Sequence, residues 1–190
     1  LMVMRLVAGR KWVVAAVVHV VLLIFALNSS VILPQGDLAY VLSKKQVDFY
    51  NVAEAQEAGS TIAIPSIGSS ADLLLQSPGA IYRTYFRPDW RDLKGLFQWF
   101  LAGENLVLTM LIVLCLLFFK KPDVSALPIV LFSLSVVLTL GLIIGSTVPI
   151  LGAVVRYKIP ALPFLGFLLL TFTDLAAIKS HWRALFQKNN

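Results

Sequence analysis

The chain has 190 residues, of which 58% are hydrophobic and only 14% charged. A soluble domain of this size needs a polar surface that such a composition cannot supply, so the sequence reads as an integral membrane protein. The net charge of +6 does not point to a nucleic acid, because the basic residues sit at the ends of apolar runs, where they anchor and orient helices.

The first apolar run covers residues 12–33 and follows Arg5, Arg10 and Lys11. A signal peptide competes with this assignment, but the run is longer than a usual signal core and no A-x-A site follows, which favours a retained helix. His19 falls near its middle and is expected to bond a neighbouring helix, with a proton relay as the alternative. Leu1 is either the start of the carboxyl-terminal part of a longer protein or a start codon read literally.

From residue 29 the character changes, and the stretch to Arg91 is too polar to span a bilayer. Residues 38–58 read as an amphipathic helix, lying on the membrane surface or packed on the bundle, and broken by Gly59. Residues 61–67 are extended or a loop, because Pro65 lies inside them. Ser69 or Ser70 caps a short helix with Asp72 in its first turn, which Pro78 is expected to interrupt or restart.

Three more apolar runs follow, at 93–119, 127–150 and 159–178, with Leu151–Lys158 as a short connection between the last two. Trp90 and Trp99 suit a headgroup-level belt where the first of these enters the bilayer. The expected fold is all-α: an integral membrane bundle of about four transmembrane helices with one mixed extracytoplasmic loop. Its parts are a basic flank and first helix (1–33), the loop with amphipathic helices (34–92), a three-helix membrane segment (93–178) and a basic cytoplasmic tail (179–190).

Basic residues tie at eight on either side of this topology, so density decides its orientation. The basic residues beside residues 12–33, 120–121 and 179–188 lie on short segments, while the long loop is net acidic. Both termini are therefore expected in the cytoplasm.

Three features could carry chemistry. Arg156 and Lys158, close to hydrocarbon, could hold a phosphate, or else snorkel to lipid headgroups. Arg83, Arg87 and Arg91 recur every four residues among aromatics, so Arg83 and Arg87 share a helix face if that segment is helical. Such a face can grip a polar lipid head or a sugar, and it also suits an ordinary membrane-surface helix. Glu104 stands inside an apolar run beside Asn105 and needs a cation, with Arg156, Lys158 or the arginine series as its expected partners. Asp174 is expected to interact near Lys179. Cys115 reads as a small hydrophobe. No metal-ligand cluster, cofactor motif or paired acidic motif is visible, and no catalytic residue can be named.

Three segments together carry a resemblance: Ser77-Pro-Gly-Ala-Ile-Tyr-Arg-Thr-Tyr-Phe-Arg-Pro88, Gly103-Glu-Asn-Leu106, and Val155-Arg-Tyr-Lys-Ile-Pro-Ala-Leu-Pro-Phe164. Over roughly residues 40–178 the chain resembles the carboxyl-terminal part of bacterial polytopic membrane proteins of cell-surface polysaccharide biosynthesis. These look like multispan glycosyltransferases or O-antigen polymerases. Such proteins have more spans and a larger outer loop than this chain carries. The resemblance implies a bacterial inner-membrane location and a polyprenyl-phosphate-linked sugar at the outer face, with Arg156 and Lys158 facing the lipid diphosphate and Glu104 near them. The expected function is a component of cell-envelope glycan assembly, alternatively a non-catalytic subunit docking a partner through its outer loop. Expected partners are membrane lipids, such a glycan lipid and other membrane subunits.

Overall fold

The computed structural model describes residues 11–27, 37–93 and 95–187, and over these residues its regular elements are all helices, with no strand. The helices are α1 (Lys11–Leu27), α2 (Leu38–Ala55), α3 (Ser70–Phe86), α4 (Leu96–Leu117), α5 (Leu127–Thr147), α6 (Leu151–Lys158), α7 (Leu162–Phe172) and α8 (Leu175–Gln187). Among the described residues, three helical stretches are long and apolar enough to cross a bilayer: Gln98–Leu117, Val124–Thr147 and Leu151–Phe172. The chain is thus a membrane protein by the length and composition of its helices. The described part of α1, 17 residues, extends about 25 Å, short of a ~30 Å hydrocarbon core. The remainder of that first run, to residue 33, lies outside the described residues.

The segment expected to connect the last two runs is itself helical. Leu151–Lys158 forms α6 and continues through one 3₁₀ turn, Ile159–Ala161, into α7. Pro160 and Pro163 do not break it, because each stands in a first turn, where no backbone N–H is required. The carbonyl of Arg156, which Pro160 cannot serve, accepts from the Ile159 N–H instead.

A similar repair carries α3 through Pro78 without interruption. The missing N–H would have served the carbonyl of Leu74, and the Ser77 hydroxyl donates to that oxygen at 2.7 Å. The start of α3 is held reciprocally: Ser69 Oγ accepts from the Asp72 N–H, and Asp72 Oδ2 accepts from the Gly68 N–H. Asp37 Oδ1 caps α2 by accepting from the Ala39 N–H.

The tightest helix pair is α3 against α5. A Cβ on Gly145 would stand 1.9 Å from the Ala80 carbonyl oxygen, and one on Gly141 would stand 2.8 Å from the Tyr85 ring, so only glycine fits. The backbones are then close enough for α3 side chains to reach one row of α5 carbonyls. Tyr85 donates to Val137 O at 2.7 Å, Thr84 to Gly141 O at 2.7 Å and Arg83 Nε to Gly145 O at 2.8 Å. The polar loop therefore sends one helix deep along a spanning helix. Tyr85, Val130, Val137, Ala161 and Leu168 form the core it joins.

Two short pairings fix the ends. Lys120 N–H donates to Phe172 O and Asp174 N–H to Phe118 O, joining the ends of α4 and α7. At the other end Ile62 N–H donates to Pro149 O and Leu151 N–H to Ser60 O, fastening the extended stretch around Thr61 to the α5–α6 junction. The hydroxyl of Tyr50 holds this stretch by accepting from Ile64 N–H at 2.9 Å.

One local expectation is corrected: His19 Nδ1 lies 2.6 Å from the Ala15 carbonyl on its own helix, not on a neighbour. Asp174 interacts locally at the helix end, where it accepts from Ala176 and Ala177 N–H and so caps α8.

Candidate functional site

Arg83 and Arg87 leave the end of α3 one turn apart, and the chain turns back through Pro88–Asp92 toward α4. The turn brings Arg91 to the same place. The three guanidinium groups line one cavity of about 230 Å³ together with Ala63, Gly79 and Tyr82. Gly79 makes room there, since a Cβ on it would come within 3.2 Å of Arg83 Nη1.

Two carboxylates balance two of the three cations. Arg87 Nε donates to Asp92 Oδ2 at 2.7 Å, and its Nη2 pairs with the other oxygen, a bidentate fork on a carboxylate that is buried. Arg91 Nη2 donates to Asp89 Oδ2 at 2.9 Å, and Tyr82 donates its hydroxyl to the same oxygen at 2.7 Å. Burial pushes the Asp89 carboxyl up, but hydrogen bonds from Arg91 and Tyr82 outweigh it and hold the group below its ordinary value. The Tyr82 hydroxyl is raised, first by that bond to Asp89 and then by burial.

Among the described residues, Arg83 is the cation of this cavity with no carboxylate: its Nε is spent on the Gly145 carbonyl, and its Nη2 is buried with no hydrogen-bond partner. Burial and then the neighbouring Arg87 lower its pKa, yet a guanidinium stays protonated in proteins. Among the described residues the cavity is thus lined by three cations against two paired carboxylates, an arrangement that attracts an anion.

Tyr82 also borders a second cavity, of about 510 Å³, with Phe86, Trp90, Trp99, Gly103 and Leu106. This slot is apolar and aromatic, lies between the α3 corner and α4, and has open space at Gly103. The two cavities set a cation beside a greasy slot, with one tyrosine between them.

Behind the corner, Lys158 is completely buried. Its Nζ donates to Asn105 Oδ1 at 2.6 Å and lies 3.3 Å from Glu104 Oε1. Asn105 Nδ2 in turn donates to the Pro88 carbonyl at 3.1 Å. Glu104 does find its expected cation, and that cation is Lys158 rather than Arg156 or the arginine series. At ~1.5 Å per residue, Asn105 and Lys158 both lie roughly 20 Å from the joined Phe118–Thr173 ends, which accounts for their meeting. Arg156 does not join this group. Two residues apart on a helix means about 200° of rotation, so Arg156 stands exposed while Lys158 is buried.

Of the five residues singled out from sequence, the structure therefore brings together Arg83 with Arg87 and Lys158 with Glu104, and leaves Arg156 apart. Sequence reasoning passed over Asp89 and Asp92, which are interleaved with the arginines, while Tyr82, one of the aromatics among those arginines, joins the cavities. The small-residue pair Gly141 and Gly145 was the available signal for the close α3–α5 approach. A scan against protein-family models gives no match, and neither a search of curated proteins nor a search of solved structures finds a similar chain.

Proposed function

We propose that this chain is a four-span component of cell-envelope glycan assembly in the bacterial cytoplasmic membrane, with both termini in the cytoplasm. In this reading its outer end holds the phosphate head of a polyprenyl-linked sugar. The observation that carries the reading is Arg83, which has no carboxylate partner among the described residues and lines one cavity with Arg87 and Arg91, set against an apolar aromatic slot. An amphiphile with an anionic head and an isoprenoid tail matches that pair of cavities. Arg83 and Arg87 are assigned to the head group, while Lys158 and Glu104 support the corner from behind.

The role is one of binding. Asp89, Asp92 and Glu104, the carboxylates around the site, are each engaged by a cation, so none stands ready as a general base. The test is retention of a polyprenyl phosphate by the purified chain in mild detergent, read by native mass spectrometry. Arg83→Gln should lower retention at least roughly tenfold, the scale of one lost charge-assisted bond. Equal retention by wild type and variant would sink the assignment.

A second reading, a non-catalytic subunit docking a partner, is favoured by Tyr40 and Val47, which stand exposed seven residues apart on α2. It expects Tyr40→Ser and Val47→Ser to abolish co-purification of a partner while lipid retention is unchanged.

A further inference from the structure

At the end of the bundle opposite the arginine cavity, α4, α7 and α8 enclose a groove of about 330 Å³ lined by Leu111, Leu114, Gly166, Leu170, Leu175 and Ile178. The groove is almost wholly apolar in its lining. Gly166 has open space where a side chain would stand, and Leu111, Leu170 and Leu175 remain exposed. Gly166 lies seven residues from Thr173 and Leu111 eight from its bridge partner Phe119. The groove therefore reaches roughly 10 Å in from that end, the depth of the upper part of an acyl chain.

Basic residues gather at this end of the bundle, following Phe119 and Ile178 in the chain. Lys120, Lys121, Lys179 and Arg183 are exposed, and among the described residues none of them pairs with a carboxylate. Of the two acids at this end, Asp174 is engaged in capping α8 and Asp123 is exposed. α8 has the pattern of a helix that lies in an interface. Leu175, Ile178 and Trp182 fall on one side, and Lys179 and Arg183, four apart, flank it. The Phe118 and His181 rings meet at 6.0 Å, holding α8 against the end of α4.

We infer that this groove is a binding site for one anionic phospholipid, its acyl chain between α4 and α7 and its phosphate at Lys179 and Arg183. A zwitterionic lipid offers the same chain without the net charge, and free phosphate offers the charge without the chain. The site requires both.

The test takes the full chain from vesicles of equal phosphatidylglycerol and phosphatidylcholine into mild detergent, with bound lipid counted by native mass spectrometry. Phosphatidylglycerol should be retained over phosphatidylcholine by roughly tenfold, since each basic residue near the surface contributes several-fold. Lys179→Gln with Arg183→Gln should erase the preference, and Gly166→Leu should lower retention of both lipids by filling the groove. Retention in the vesicle ratio would overturn the inference, as would full retention by Gly166→Leu. So would a dimer that Gly166→Leu dissolves, which would make the groove a contact between two copies.

A second measurement avoids the groove variants. In a chain carrying Trp12→Phe, Trp90→Phe and Trp99→Phe, lipids brominated near the headgroup should quench Trp182 more strongly than lipids brominated near the chain end. The reverse order, or no quenching, would remove α8 from the interface and the site with it.

Discussion

Arg83 Nε and the Gly145 carbonyl meet at 2.8 Å, at a helix end where Pro149, four residues on, has no N–H to offer that oxygen. The bond anchors the guanidinium by one edge, and its Nη2 is buried with no hydrogen-bond partner among the described residues. Structure and proposed binding therefore share one side chain. Arg83→Lys keeps the charge but not the fork, and should lose part of both roles. Equilibrium unfolding in mixed micelles should show Arg83→Gln destabilised by about 1–3 kcal/mol. A stability within error of wild type would show that the Gly145 bond contributes nothing.

Glycine substitutions should divide by sign. Gly145→Ala drives a Cβ into the Ala80 carbonyl and should cost about 3 kcal/mol or more. Gly103→Ala meets nothing within 4 Å and lies inside α4, so it should stabilise by up to about 1 kcal/mol through helix propensity. The same unfolding assay on the two variants checks both. Equal effects would mean that α3 and α5 are not in close contact.

The buried lysine should be asymmetric with its partner. Lys158→Ala strands Asn105 Oδ1 and removes a fully buried side chain, and should destabilise by about 2–4 kcal/mol. Glu104→Gln keeps the shape of the side chain and leaves the Lys158–Asn105 bond in place, so it should cost less than Lys158→Ala. A larger loss from Glu104→Gln than from Lys158→Ala would reverse this order and point to the carboxylate as the anchor of the corner.

Burial pushes the Tyr85 hydroxyl up to about 12, from an ordinary 10.0. The folded state therefore holds this proton more tightly than the unfolded chain does. Its contribution to stability is complete below pH 10 and is lost as pH rises toward 12. Unfolding measured across this interval should fall more steeply for wild type than for Tyr85→Phe. Parallel profiles would show that the phenol is not buried.

At the acid end Asp89 behaves in the opposite way. Its folded value lies below the ordinary 3.8, so its contribution is complete above that value and lost as pH falls beneath it. Asp89→Asn should flatten the acid limb of the stability profile. The site should then keep Arg91 unpaired and bind anions more strongly, which phosphate titration followed by Trp90 fluorescence can read.

The spans were legible because a run of lipid-facing residues is a local property, written in consecutive positions such as 98–117 and 124–147. The arginine series was legible for a similar reason, since a spacing of four repeats on a helix. The pairings that shape the site were not. Lys158 meets Asn105 across 53 residues and Arg83 meets Gly145 across 62, and no local period records such contacts. One proline misled: Pro78 suggested an interruption or restart, but the Ser77 hydroxyl takes up the carbonyl that the proline abandons. Arg156 and Lys158 read as one pair on a connection, and became two separate residues once the segment proved helical.

The pairing of Phe119 with Thr173 joins α4 and α7 by two backbone bonds where each reaches the boundary. Two helices fastened in this way cannot slide past each other along the membrane normal without breaking both bonds. A piston movement of α4 would have to carry α7 with it, and with α7 the lysine that holds the Pro88 corner through Asn105. Motion at one membrane face would then reach the arginines at the other as a displacement of the whole unit, leaving rotation about the helix axes as the independent freedom.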